Sequence, residues 1–107
     1  MNKLRRAPGR RQARFRRQVH GSATDEQLRS LIEVVEVEID ARGTFCPEPV
    51  IRIQEAARGM HVGQSAMLLA DDAGVEVDLP AWCMSTGNEY LGLVREDAFL
   101  RVFIRRS

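Results

Sequence analysis

Residues 45–60 read FCPEPVIRIQEAARGM: a cysteine, two prolines flanking Glu48, and then apolar residues at helical spacing. Val50, Ile53 and Ala57 fall at i, i+3 and i+7, so a helix is predicted from Pro47 to about Arg58, with Gly59 as its stop. Upstream, VVEVEID (34–40) alternates, with Val35, Val37 and Ile39 on one face and Glu36 and Glu38 on the other. That is the pattern of a half-buried strand. ARGTF then turns the chain through Gly43. The cysteine therefore stands at a strand–loop–helix junction.

Downstream, SAMLLA (65–70) is a nearly continuous apolar run, as expected of a central strand covered by helices. Asp71 and Asp72 offer an N-cap, and Gly74 allows the turn. The next helix carries Val75, Leu79, Trp82 and Cys83 as one apolar stripe, with a kink or restart expected at Pro80 and an end at STGN (85–88). EYLGLVR (89–95) and AFLRVFIRR (98–106) read as a hairpin joined through Glu96–Asp97. The order βαβαββ predicts an α/β two-layer sandwich: a four-stranded mixed sheet with two helices on one face.

The 107 residues suffice for one domain. Their net charge of +1 conceals an asymmetry. Residues 1–18 hold eight of the sixteen basic side chains and no acidic one, which leaves eight basic against fifteen acidic groups, a net of −7, in the rest. Residues 1–30 are expected to form a basic, disordered extension, because they carry too little apolar surface to offset the entropy of ordering; the domain then occupies residues 31–107. The extension reads as a solvated tail, with contact to nucleic acid or an acidic partner through residues 1–18 as the alternative. No apolar stretch follows the arginines, so no secretory signal fits, and no run reaches the roughly 18–20 apolar residues of a membrane span.

Two cysteines, Cys46 and Cys83, and no CxxC spacing point to a reducing compartment rather than a disulfide scaffold. His20 and His61 have no ligand neighbours at useful spacing, so no metal site is expected. Cys46 falls at about the N-cap of its helix, where the dipole favours a thiolate. Pro47 suits the first helical position, and Pro49 removes a second donor, leaving the amides of Glu48 and Val50 to converge near the sulfur. Glu48 opposes this with its charge, so a moderate fall in thiol pKa is expected. Cys83 lies on the apolar stripe and reads as structural. Hydrolysis lacks a recognisable base. Group transfer on Cys46 and redox sensing through Cys46 and Cys83 remain close competitors.

Asp40-Ala41-Arg42-Gly43-Thr44-Phe45-Cys46-Pro47-Glu48-Pro49 resembles the DxxGxxCPxP signature of the TusA/SirA-like sulfur carrier family. LLADDAGVEVDLPAWC (68–83) is similar to that family's second strand and helix, so the resemblance covers about residues 34–106. It implies a small two-layer α/β sandwich with no cofactor, acting in the cytoplasm as a sulfurtransferase-like carrier. By resemblance Cys46 accepts sulfur as a persulfide from a donor protein, a cysteine desulfurase or a rhodanese, and relays it to an accepting protein. The recipient pathways of the family are tRNA thiolation, molybdenum-cofactor maturation and sulfur oxidation. Pro47, Glu48 and Pro49 would shape the helix start, Gly43 would let the loop pass tightly, and Asp40 would either order the loop or simply cap the strand end. Asp78 and Cys83 are secondary candidates. Family members start close to the first strand, whereas this chain has about 33 residues before it, on which the resemblance is silent.

Overall fold

A computed structural model of the chain describes residues 21–107. The elements are α1 (Asp25–Leu31), β1 (Val37–Asp40), α2 (Glu48–Arg58), β2 (Ser65–Ala70), α3 (Val75–Thr86), β3 (Glu89–Arg95) and β4 (Leu100–Arg105). The sheet order is β1-β2-β4-β3, with β1 parallel to β2 and the other neighbours antiparallel. A four-stranded mixed sheet in an α+β fold is thus what the strand and helix periods predicted.

All six residues of β2 are buried. Its position explains this: β2 lies between β1 and β4, and its two faces enter different cores. Ala66, Leu68 and Ala70 meet Ile53 and Ala57 of α2 and Val75, Leu79, Trp82 and Cys83 of α3. Met67 and Leu69 meet Leu28 of α1, together with Leu91, Val94 and Phe103. Two helices on one face is therefore incomplete, because a third helix covers the other.

The expected extension over residues 1–30 divides accordingly. Residues 1–20, which include the basic arm of residues 1–18, lie outside the described residues. Residues from 21 to 30 belong to the folded unit, which therefore includes at least ten residues before the predicted boundary at 31. Ser22 and Ala23 donate their amides to the carbonyls of Tyr90 and Leu91, tying this segment to β3. Gly21 has φ +82°, and a Cβ there would lie 2.5 Å from the Leu91 carbonyl oxygen, so only glycine passes. A capping box starts α1: Thr24 Oγ1 accepts from the Gln27 amide, and Gln27 Oε1 accepts from the Thr24 amide. Seven residues are too few to hold a helix in water, so burial of Leu28 stabilises what the cap begins.

Three further boundaries moved. β1 begins at Val37 rather than Val34, because residues 31–35 form a turn in which the Val34 and Val35 amides donate to the Leu31 carbonyl. Val35 consequently packs with α1, across the sheet from Val37 and Ile39. α3 continues through Pro80 without a restart, and it ends where Gly87 adopts φ +79°. The β3–β4 turn is longer than Glu96–Asp97 alone, closing with the Glu96 amide on the Phe99 carbonyl.

Leu28→Ala should remove the side chain that seats α1 and lower stability by about 2–3 kcal/mol, read from the shift of the urea unfolding midpoint.

Candidate functional site

β1 ends at Asp40, and residues 41–47 carry the chain to α2. The loop is tethered at its base by the Ala41 amide, which donates to the Leu69 carbonyl at 2.8 Å. Asp40 accepts from the Arg42 amide at 3.1 Å and from its guanidinium at 2.9 Å, which holds this exposed carboxyl at about 2, below the usual range. Arg52 of α2 donates to the Asp40 carbonyl and also pairs with Glu48 one turn earlier. Asp40 therefore orders the loop from both its side chain and its backbone.

The β2–α3 junction holds the tip. Asp71 accepts from the Gly43 amide at 3.0 Å, and Asp72 accepts from the Cys46 amide at 2.7 Å through one oxygen and from the Gly74 amide at 3.0 Å through the other. Neither aspartate is the N-cap expected of it; Gly74 occupies that position without a side-chain cap. The Asp-Asp pair was legible only as a capping signal, and its reach to a loop nearly thirty residues away is a product of packing. Gly43 has φ +81° but open space where a Cβ would stand, so glycine is needed there for its left-handed backbone and not for a tight passage.

Cys46 is exposed and Cys83 buried, and both are free. The Cys46 thiol donates to the Asp78 carboxylate on the first turn of α3. That hydrogen bond, desolvation, and the charges of Asp78 and Asp72 push the thiol up to about 11. The expected fall is overturned for three local reasons. Pro47 is the N-cap and α2 begins at Glu48, so Cys46 lies one position outside the helix. The Glu48 amide donates to the Phe45 carbonyl and is not offered to the sulfur. Asp78 and Asp72 bring full negative charges, whereas a helix N-terminus offers about half a positive one. Glu48, expected to be the opposing charge, is paired with Arg52 instead.

Of the other predicted residues, Pro47 caps α2, joined to Cys46 by a cis peptide, and Pro49 is buried in the first turn. Asp78 is brought to Cys46, and Cys83 is not. Cys83 sits in the α3 core stripe and borders a separate cleft with Pro80, Met84 and Tyr90, where burial pushes its thiol up to about 12. Phe45, which precedes the thiol in the chain, is 78% exposed, and Val77, which precedes Asp78, is 69% exposed. Among the described residues, no three His, Cys, Asp or Glu side chains are grouped to hold a metal ion, and no helix is long and apolar enough to cross a membrane.

Residues 37–106 match the family described as Sulfurtransferase TusA, and the chain belongs to that family. It is similar to the "Sulfur carrier protein TusA" of Pseudomonas syringae pv. syringae (strain B728a), 32% identical over 73 residues that make up 68% of this chain and 87% of that one. YrkF of Bacillus subtilis (strain 168) is 38% identical over 69 residues, and the match spans only 37% of YrkF's length. The crystal structure of a SirA-like protein from Desulfitobacterium hafniense superposes with TM-score 0.54 at 30% identity, over 64% of this chain and 95% of that one. The family match begins after α1, which is thus an addition to the shared region.

Asp78→Asn should bring the Cys46 midpoint down from about 11 towards the ordinary thiol range. A lower pKa means more thiolate at pH 8, so alkylation by iodoacetamide should accelerate on the order of ten-fold, the gain being partly offset by weaker nucleophilicity. Gly43→Ala should cost about 1–2 kcal/mol in denaturant unfolding through its left-handed backbone.

Proposed function

We propose that the protein is a sulfur carrier that accepts a sulfane sulfur on Cys46 and relays it to a second protein. The observation that carries this reading is the placement of Cys46: an exposed thiol on a tethered loop, hydrogen-bonded to one carboxylate. Such a thiol can be reached by another protein's cysteine. It has no neighbouring thiol to close an internal disulfide, which weighs against redox sensing.

The transfer balances without an added oxidant. Cys46 sulfur attacks the terminal sulfur of a donor persulfide; the new S–S bond forms as the old one breaks, and the donor cysteine leaves as a thiolate. Asp78 takes the thiol proton as the attack proceeds and passes it to the leaving sulfur. At neutral pH the resting thiol stays protonated, so the site is quiet until a donor docks. We assign the donor to the persulfide-bearing classes, a cysteine desulfurase or a rhodanese. The acceptor then belongs to tRNA thiolation, molybdenum-cofactor maturation or sulfur oxidation. Free thiols suit the reducing cytoplasm.

Incubation with a cysteine desulfurase, cysteine and a persulfide-trapping alkylator should add one sulfur to the peptide containing Cys46. Cys46→Ser should abolish the gain and Cys83→Ser should leave it intact. Sulfur found on Cys83 alone, or on neither cysteine, would overturn the reading.

A further inference from the structure

One side chain of the β3–β4 turn reaches the loop that carries Cys46. Phe99 is half-buried and packs against the apolar cluster of Leu28, Met67, Leu69 and Phe103 on the α1 side of the sheet. Two guanidinium carbons lie over its ring, those of Arg42 and Arg101, each 5.1 Å from the ring centroid. That is within the roughly 6 Å at which a cation is drawn to an aromatic face. Each arginine also has its own carboxylate, Asp40 for Arg42 and Glu96 for Arg101, so two cations share one ring with the charge of each compensated. The series Asp40–Arg42–Phe99–Arg101–Glu96 therefore links the end of β1 to β4.

Arg42 can serve both partners because its guanidinium is planar. The edge of the fork donates to both Asp40 oxygens at 2.9 Å, and the flat face remains for the ring. The Arg42 side chain is 46% exposed, and an ion pair in such a setting fixes little by itself; the ring gives the guanidinium a set place. Arg42 is the second residue of the loop, and its own amide is held by Asp40 at 3.1 Å. The amides that follow are held in turn, Gly43 by Asp71 and Cys46 by Asp72. Asp71 and Phe99 line one cleft, so the β3–β4 turn stands by the start of the loop and by a residue that holds its tip.

From this arrangement we infer that Phe99 is a positioning residue for Cys46: through the Arg42 guanidinium it fixes the start of the 41–47 loop, and with it the place at which the thiol is offered to a partner. It acts through Arg42 and not on the sulfur. The local pattern of the chain holds no sign of this, since Phe99 is one apolar residue among several in AFLRVFIRR (98–106). What the loop presents rests on the sulfur-carrier reading; that Phe99 holds the loop does not.

Amide hydrogen exchange in the ¹⁵N-labelled full chain reads the loop directly. Phe99→Leu should speed exchange at Arg42, Gly43 and Cys46 roughly two- to five-fold, the factor an exposed cation–π contact supplies, beyond any change at Leu68 and Val102 in the centre of the sheet. Phe99→Tyr keeps an aromatic face and should restore the unsubstituted rates. In an Arg42→Gln background, Phe99→Leu should add nothing at these amides. With a cysteine desulfurase and cysteine, Phe99→Leu should raise the concentration of this protein needed for half-maximal sulfur loading of Cys46 by a similar factor and leave the maximal rate unchanged, because a looser loop must be ordered on docking. Loop amides that keep their rates in Phe99→Leu, an equal rise at Leu68 and Val102, or the same acceleration in Phe99→Tyr would each overturn the inference. So would an unchanged half-maximal concentration. Absence of loading in the unsubstituted chain would sink the sulfur-carrier reading, and the exchange rates would still decide the role of Phe99.

Discussion

β2 turns Ala66, Leu68 and Ala70 to one face of the sheet and Met67 and Leu69 to the other, and both sets must leave water. This constraint organises the molecule. α2 and α3 cover the first face, and in doing so they bring the start of each helix to the same end of the sheet. α1, with Ala23 ahead of it, covers the second. Burial of apolar surface is the largest favourable term in a domain this small, so covering one face alone would leave Met67, Leu69 and Phe103 to solvent. The helix outside the family match is part of the core, not an ornament on it.

The same packing sets the chemistry at the thiol. The loop after β1 would be free at its tip if it were held only by Asp40 and Arg42. Asp71 and Asp72, standing where β2 gives way to α3, take the amides of Gly43 and Cys46 and fix the loop against the second helix. Asp78 then meets the sulfur from the first turn of α3. A cluster of carboxylates around a cysteine favours the neutral thiol, the opposite of a helix N-terminus acting alone. The protein thus exposes a thiol whose neighbouring carboxylates favour its protonated form.

Much of this was legible in the chain. The period of 3.6 in VIRIQEAAR and the alternation in VEVEID are local properties that depend on neighbours a few residues away, so the succession of strands and helices along the chain and the strand–loop–helix setting of Cys46 could be read directly. The signal for α1 was also present, in the Thr24–Gln27 capping box and in the two-sided apolar run of SAMLLA, but nearby arginines made the whole segment look like tail. What no local pattern contains is which distant groups meet. Asp72 lies 26 residues from Cys46 and Asp78 lies 32 away, and only the packing of α3 against the sheet brings them to the loop. The residues alone determined that a cysteine would stand exposed before a helix. Tertiary structure decided its charge state, because a thiol's pKa answers to the charges and donors within a few ångströms, wherever in the chain they come from.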